Sequence, residues 1–205
     1  MSKLPVDDAH RCAWAQSTPL MREYHDREWG VPQHDDRVLF EFLILEGAQA
    51  GLSWRTILQR REGYRRAFHN FDAKKIARYT DADRARLMAD AGIIRNRLKI
   101  DAAIGNAKAY LALCKTHGSL DAWLWAHVDG VPLVNQHKGM GEVPARTELS
   151  DRISKELLAL GFKFVGSTIM YAYLQAVGVV NDHWVGCYRH AELGGASKRR
   201  ASRKS

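Results

Sequence analysis

Apolar residues recur along most of the chain at the spacing of α-helices. Residues 35–51 open with an acidic cap and then run almost wholly apolar, which predicts a central, buried helix. A second apolar pattern begins at Ser53, and a long amphipathic one runs from Asn96 to Gly118. The alternation that is typical of strands is absent from the sequence, so we predict an all-α fold.

Individual residues mark where the shorter elements begin and end. Asp72 and Thr80 precede two short helical segments and are suited to cap them. Residues 129–147 are rich in glycine and proline, which predicts an exposed loop. Two further helices follow, joined by a tight link that contains Gly161 and Gly166.

Length and composition are those of an ordinary globular protein. The chain has 205 residues, of which 46% are hydrophobic and 26% are charged. It has no run of the roughly 20 apolar residues that span a membrane, and its first ten residues do not resemble a signal peptide. We therefore expect a cytoplasmic monomer with one helical domain, residues 1–195, made of two packed lobes.

Positive charge is concentrated near the C-terminus. The formal net charge is +8, and five of the basic residues fall within residues 196–205. We expect these ten residues to form a disordered basic tail, which could hold a polyanion or simply favour solubility. The rest of the chain is mildly basic, so nucleic acid is a candidate partner that charge alone does not establish.

Two cysteines and two histidines form a set that is suited to zinc. His183 and Cys187 are four residues apart and would face the same way on a helix or tight turn. Cys12 and His25 would complete a Cys₂His₂ site. Such a closed site has no position for water, so it would join the two ends of the chain rather than catalyse. Unrelated surface histidines and buried thiols remain the alternative.

The remaining cysteine and histidines show no pairing pattern. Cys114 lies within an apolar helical stretch and is most simply a core thiol. We expect the other histidines at the surface: His10, His34, His69, His117, His127, His137 and His190.

One carboxylate interrupts the apolar face of the central predicted helix. Glu46 follows apolar residues at three, four and seven positions before it, whereas Glu41 lies on another side. A carboxylate there must be paired, protonated or functional, unless it reaches water at the end of the helix.

Aromatic residues lie near this carboxylate and near the first two proposed zinc ligands. Trp54 follows Glu46 after a stretch of small residues, and Trp14, Tyr24 and Trp29 are concentrated near the N-terminus. A carboxylate among electron-rich rings suits a flat, cationic ligand that donates hydrogen bonds. Packing of the core or of the zinc site is the plainer alternative.

Several longer motifs of the sequence resemble the signatures of one family. They are RCAW, YHDREWGVP, LEGAQAGLSW, AGIIRNRLKI, GFKFVG and VNDHWVGC, in order from about Arg11 to Tyr188. Together they resemble bacterial 3-methyladenine DNA glycosylase I. The resemblance implies a helix-hairpin-helix fold and one structural zinc ion, held by Cys12, His25, His183 and Cys187. It also implies an enzyme of the bacterial cytoplasm and nucleoid that acts on alkylated double-stranded DNA.

The resemblance further implies the reaction and the residues that carry it. The enzyme would flip 3-methyladenine out of the stack and hydrolyse its bond to the sugar, leaving an abasic site. Glu46 would contact the N–H edge of the base as the catalytic residue. The other base-binding residues would be Tyr24, Trp54, Trp14, Trp29 and Met21, the last standing where family members carry a tyrosine. The segment GFKFVG, with Gly161, Lys163 and Gly166, would be the hairpin that holds DNA phosphate. The start of the next helix, at Ser167 and Thr168, offers free backbone N–H groups that could also bind a phosphate. From the residues alone, an ordinary pair of helices is the alternative.

The reaction needs little acid or nucleophilic catalysis. N3 methylation makes adenine cationic and a good leaving group, so selective binding of the charged base matters most. Asp182 lies beside the proposed ligand His183 and is not expected to be a catalytic base. Two other functions stay open: a zinc-containing module that binds DNA without releasing a base, and a zinc hydrolase of small molecules, which needs an open metal position.

Overall fold

The computed structural model describes residues 10–201, without the side chains of Met140 and of residues 195–201. The backbone divides into two compact units. Unit 1 contains the segment before His34, the segment Val128–Ala145 and the segment after Tyr173. Unit 2 contains His34–His127 and Arg146–Tyr173.

Helices make up most of both units. Within residues 10–201 the α-helices are α1 (Pro19–Arg27), α2 (Asp36–Gln49), α3 (Trp54–Ala67), α4 (Ala73–Ile76), α5 (Asp81–Ala89), α6 (Arg97–His117), α7 (Leu120–Ala126), α8 (Glu148–Ala159), α9 (Ser167–Ala176) and α10 (Tyr188–Ala201). Short 3₁₀ helices occur at Ala13–Ser17, His69–Phe71 and Met140–Glu142. The all-α class predicted from the sequence is confirmed.

One short strand pair departs from the predicted pattern. The strands β1 (Leu133–Val134) and β2 (Val180–Asn181) pair in parallel in unit 1. Two residues per strand are too few to produce the alternation that predicts a strand. Apart from β1 and one 3₁₀ turn, residues 129–147 form the loop that was expected.

Side-chain caps begin the helices where the sequence predicted them. Asp72 accepts a hydrogen bond from the backbone N–H of Lys75 at the start of α4. Thr80 and Asp83 form a reciprocal capping box at the start of α5. Gly118 ends α6 with a φ of 86°, which glycine adopts without steric cost.

The helix α2 forms the core of unit 2, as its apolar run predicted. Every residue from Leu39 to Ala48 is buried, so the helix is covered on all sides rather than along one stripe. Helices α3, α6 and α7 pack against it. This burial includes the two carboxylates Glu41 and Glu46.

Unit 1 brings together segments that are distant in the sequence. The N–H of Gly30 donates to the carbonyl of Gln175, and α10 packs on β2. Gly178 has a φ of 73°, and a Cβ at this position would overlap the backbone of Val31. A larger residue at position 178 would therefore separate these two segments.

Two further predictions concern the basic tail and the absence of a membrane-spanning segment. The predicted basic tail, residues 196–205, begins within the last turns of α10 and otherwise lies outside the described residues, so its disorder stays a prediction. Between residues 10 and 201, none of the helices has the length and apolar character that crossing a membrane requires.

Candidate functional site

The four predicted metal ligands lie together in unit 1, and all four are buried. Cys12 precedes the first 3₁₀ helix and His25 lies in the last turn of α1. His183 follows β2, and Cys187 directly precedes α10. One ligand atom of each residue lies within 4.8 Å of the other three, so residues from both ends of the chain form a single cluster.

Three sulfur–nitrogen separations within this cluster match those around a tetrahedral ion. The Sγ atom of Cys187 lies 3.4 Å from His25 Nε2 and 3.5 Å from His183 Nδ1. The Sγ atom of Cys12 lies 3.6 Å from His183 Nδ1. A thiolate and an imidazole bound to a tetrahedral zinc ion at about 2.3 and 2.1 Å would lie roughly 3.6 Å apart. The donor set and its geometry therefore fit such an ion.

Hydrogen bonds outside the cluster orient both imidazoles. Nδ1 of His25 lies 2.8 Å from Asp26 Oδ1, and Nε2 of His183 lies 3.1 Å from the Trp29 carbonyl. When these nitrogens donate, the other nitrogen of each ring is left as an acceptor that faces the cluster. Arg11 in turn donates to both oxygens of Asp26, at 3.0 and 3.1 Å.

The protonation of the cluster favours a bound cation. The pKa of Cys187 is held far below its ordinary value, chiefly because the Cys12 thiol donates a hydrogen bond to its sulfur. The pKa of Cys12 is raised, chiefly by the same hydrogen bond to Cys187. Burial lowers the pKa of His183, which favours the neutral ring that binds metals. A cation at the cluster would favour the thiolate form of both cysteines.

Aromatic rings from unit 1 surround the ligand histidines. The ring of Trp14 lies edge-on to His25, with centroids 5.3 Å apart, and edge-on to Trp29 at 5.1 Å. The ring of Trp29 lies 4.5 Å from that of His183. Trp14 and Trp29 therefore pack against the ligand histidines, which is the packing alternative that the sequence left open.

Two more of the predicted base-binding residues lie on α1. Tyr24 is buried and its ring lies 6.2 Å from that of Trp14. Met21 is also buried, one helical turn before His25. Unit 1 thus contains four of the five predicted base-binding side chains other than Glu46, and their contact with a base stays a prediction.

Glu46 is a buried carboxylate without a hydrogen-bond partner for one of its oxygens. Its side chain lies in the last turns of α2, and the residue is 4% exposed. Within the described residues, its Oε2 atom accepts no hydrogen bond. Burial raises its pKa to about 8. The alternative in which this carboxylate reaches water at the end of the helix is therefore wrong.

Trp54 lies close to Glu46 in the sequence and in unit 2. Ser53 caps α3, and Trp54 is the first residue of that helix. Its ring stacks near that of Phe42, with centroids 6.3 Å apart and an angle of 21° between the planes. Because Phe42 lies one helical turn before Glu46 on α2, both candidate residues adjoin the same part of unit 2.

The burial of Glu41 was not predicted from the sequence, which placed this glutamate on another side of α2 from Glu46. Glu41 is fully buried, and one of its oxygens accepts hydrogen bonds from Arg61 at 2.7 Å and from Arg65 at 2.8 Å. Arg37 contacts its other oxygen at 3.3 Å. Arg61 and Arg65 lie four residues apart on α3 and so share one face, which was a signal that this face meets a carboxylate.

The predicted DNA-binding hairpin joins α8 to α9 through residues 160–166. Gly161 has a φ of 88°, and Phe164 has a φ of 55°. The buried side chain of Asn106 binds the backbone of Lys163 twice, accepting from its N–H at 2.8 Å and donating to its carbonyl at 2.9 Å. Asn106 therefore fixes the turn, while the side chain of Lys163 is exposed.

The start of α9 presents some of its predicted DNA-binding groups to solvent. Gly166 and Thr168 are exposed, whereas Ser167 is half-buried and its hydroxyl lies 2.8 Å from that of Ser150. Ser167 thus ties α9 to the start of α8, and its contact with DNA stays a prediction.

Asp182 belongs to a hydrogen-bonded group within unit 1. It is 1% exposed, and its oxygens accept from the side-chain amides of Asn135 at 2.6 Å and Gln175 at 2.7 Å. Nε2 of His137 lies 3.2 Å from the same carboxylate. Both oxygens of Asp182 thus have partners within unit 1, and its expected lack of a role as a catalytic base stays a prediction.

Two histidines expected at the surface are mostly buried, so that prediction was wrong for them. The side chain of His137 is 17% exposed because it packs against Asp182. That of His127 is 11% exposed and lies edge-on to Trp123, with ring centroids 4.8 Å apart. A lone histidine in a sequence gives no sign of such a partner.

Comparison with known proteins assigns the chain to a family. The sequence profile of methyladenine glycosylases matches residues 14–190. The chain belongs to the methyladenine glycosylase family. The resemblance seen in the sequence motifs is therefore confirmed, and the matched range includes Tyr24, Glu46 and Trp54 as well as three of the four cluster residues.

Individual relatives are similar over nearly their whole length. DNA-3-methyladenine glycosylase 1 of Escherichia coli strain K12 is 51% identical over 177 residues, which are 86% of this chain and 95% of that protein. The Haemophilus influenzae enzyme is 46% identical over 86% of this chain and 96% of its own. Among solved structures, that of 3-methyladenine DNA glycosylase I from Staphylococcus aureus describes how that protein recognises 3-methyladenine. Its sequence is 35% identical to this chain, and the TM-score is 0.85. It covers 87% of this chain and 95% of that one.

Proposed function

We propose that this protein is a DNA repair glycosylase that excises 3-methyladenine from alkylated double-stranded DNA. The observation that carries the proposal is the family match over residues 14–190, together with 51% identity to a relative named for this reaction. The reaction is hydrolysis of the bond between the base and its sugar. It leaves an abasic site in an uncut strand.

Glu46 is the residue that we propose to act on the base. The methylated base carries a positive charge before it leaves, and neutral adenine does not. Burial raises the pKa of this carboxylate to about 8 and so disfavours its ionised form. A neighbouring cation stabilises the ionised form. Glu46 would thereby bind the charged base more strongly than the undamaged one, and selection and catalysis would come from the same contact.

The aromatic residues have a complementary role in this proposal. Trp54 and Tyr24 would stack on the flipped base, and Trp14 and Trp29 would close the pocket around it. Electron-rich rings attract a cation more than a neutral ring, so they add to the selection made by Glu46. Met21 would line the pocket without the hydroxyl that family members carry there.

A structural zinc ion is the second part of the proposal. Cys12, His25, His183 and Cys187 would hold one zinc ion per chain, and its role is to tie the N-terminal segment to the C-terminal one. Four protein ligands leave no position for a reacting water, so the proposal assigns no catalytic step to the ion. Elemental analysis of the purified protein should find one zinc per chain, and Cys12→Ser should remove it.

The hairpin between α8 and α9 would hold the DNA backbone. Backbone N–H groups at the start of α9, near Gly166 and Thr168, are suited to a phosphate, and Lys163 adds a positive charge. The proposed substrate lies in genomic DNA, so the predicted cytoplasmic location and nucleoid association remain our expectation. The predicted monomer can be checked by light scattering.

Base release from methylated duplex DNA tests the function directly. The purified protein is incubated with alkylated duplex, and the freed bases are identified by mass. Release of 3-methyladenine, with 7-methylguanine left in the duplex, is the expected result. Binding of the duplex by folded, zinc-loaded protein without any release would overturn the proposal and favour a DNA-binding module.

A further inference from the structure

Lys99 binds the end of the helix that carries Glu46. Lys99 lies in the first turn of α6, and its Nζ atom donates to the carbonyls of Ala48 and Ala50, each at 2.7 Å. All of these residues belong to unit 2. The side chain is half-buried, and burial lowers the pKa of its ammonium group.

The two carbonyls need such a partner because α2 ends at Gln49. The last carbonyls of a helix have no partner within the helix, and a cation there also interacts favourably with the helix dipole. Ala48 and Ala50 lie on either side of the helix end. One ammonium that binds both therefore fixes the direction in which the chain leaves α2.

The segment held in this way connects the two candidate base-binding residues of unit 2. Residues 50–53 link α2 to α3, and Trp54 is the first residue of α3. The link is tight: Gly51 has a φ of 77°, and the N–H of Leu52 donates to the Gln49 carbonyl at 2.6 Å. The position of Trp54 relative to Glu46 is set by these few residues.

We propose that Lys99 is a positioning residue, which holds the link between α2 and α3 so that Glu46 and Trp54 are correctly placed for the base. The inference rests on the proposed function. Because Lys99 Nζ donates to the backbone carbonyls of Ala48 and Ala50, the role assigned to it acts through the backbone of the link.

The test replaces Lys99 with methionine, which keeps the length of the stem and removes the donors. The excision rate is measured in single turnovers at saturating protein on duplex that contains 3-methyladenine. We expect Lys99→Met to lower this rate by about 10- to 100-fold, the usual effect of misplacing reacting groups by about 1 Å. Lys99→Arg, which keeps charge and donors, should recover most of the rate.

Two control variants separate positioning from other effects. Lys108→Met removes the same charge from an exposed position on α6, so both methionine variants should bind undamaged duplex equally well. Tyr79→Phe removes a hydroxyl that donates to the Ala67 carbonyl in unit 2. It should lower the melting temperature without lowering the excision rate.

The outcomes distinguish this inference from the proposed function. If the unaltered protein releases no 3-methyladenine, the proposed function is wrong. If the unaltered protein releases 3-methyladenine and Lys99→Met excises it at the same rate, the positioning role is wrong. The same holds if Lys99→Met loses only affinity for the duplex. Lys99→Gln, which keeps an uncharged donor, provides the same comparison should the methionine variant not fold. Lys99→Gln should excise more slowly than Lys99→Arg but retain some activity. A rate equal to that of the unaltered protein would also overturn the inference.

Discussion

The two halves of α2 each bury a glutamate, and the two side chains have opposite surroundings. Glu41, in the first half, is 0% exposed and is contacted by Arg37, Arg61 and Arg65. Glu46, in the second half, is 4% exposed, and its Oε2 atom has no partner in the described part of the chain. Both belong to the same helix and lie only five residues apart.

The difference shows that burial alone does not identify a functional carboxylate. An ionised carboxylate inside a protein is stable when opposite charges surround it, as they do around Glu41. Without them, burial costs free energy and shifts the pKa, as it does for Glu46. Residues that a fold keeps at such a cost are candidates for a role in binding or catalysis. The partners of the two glutamates therefore separate a structural residue from a functional one.

The largest expected effect is on stability when Glu41 is removed. Glu41→Ala leaves three arginines around an empty space, and Arg61 is itself nearly buried. Breaking a buried ion pair from one side costs on the order of 3 kcal/mol in the free energy of unfolding. Urea denaturation would measure this loss, and a variant as stable as the unaltered protein would show that Glu41 is not the structural member of the pair.

The second effect concerns activity. Glu46→Gln should lower single-turnover excision of 3-methyladenine by about 100-fold, because the amide cannot provide the negative charge that favours the cationic base. Affinity for undamaged duplex should stay nearly the same. Glu62→Gln, at an exposed glutamate of α3, is the matched control and should excise normally. An unchanged rate for Glu46→Gln would remove Glu46 from the site.

The third effect is a dependence of stability on pH. The pKa of Glu46 rises from an ordinary 4.5 to about 8 on burial. Between these values the folded protein keeps a proton that the unfolded chain releases, so this group makes the fold less stable as the pH rises. Glu46→Gln lacks the penalty. Its stability relative to the unaltered protein should grow by on the order of 1–3 kcal/mol from about pH 5 to about pH 9.

Urea denaturation of both proteins at several pH values within this range gives the difference directly. Groups other than Glu46 titrate in both proteins, so their contributions cancel in the comparison. A difference that stays constant with pH would mean that Glu46 is ionised or solvated in the folded protein, and the contrast with Glu41 would disappear.

The smallest effect tests the geometry around Glu41. Arg65 contacts one oxygen of Glu41 through two of its nitrogens, Nε at 3.0 Å and a terminal nitrogen at 2.8 Å. Lysine keeps the charge but offers only one nitrogen, so Arg65→Lys should cost about 1 kcal/mol in the free energy of unfolding. Excision should not change. A loss of activity as large as that of Glu46→Gln would show that the two halves of α2 are not separate in function.

The sequence was sufficient for the features that depend on local pattern. The burial of α2, the caps Asp72 and Thr80, and the apolar face that carries Glu46 all follow from residues within a few positions of each other. The four cluster residues were found because cysteine and histidine are uncommon and their chemistry is specific.

The features that the sequence did not reveal depend on contacts between distant residues. The partners of Glu41 on α3 are 20 and 24 residues away, and those of Asp182 lie 7 and 47 residues away. Lys99 meets carbonyls about 50 positions before it, and backbone carbonyls leave no trace in a sequence. The β1–β2 pair is likewise fixed by tertiary packing rather than by pattern.

The arrangement of the cluster also has a consequence for how the protein is made. Cys12 and His183 are separated by 171 residues, and unit 1 takes segments from the beginning, the middle and the end of the chain. The N-terminus is synthesised first, so Cys12 and His25 have no C-terminal partners until nearly the whole protein has been made. All segments of unit 2 emerge before residue 183 does. During translation, unit 2 can therefore fold ahead of unit 1, and Cys12 cannot be enclosed by the complete cluster until Cys187 has been synthesised.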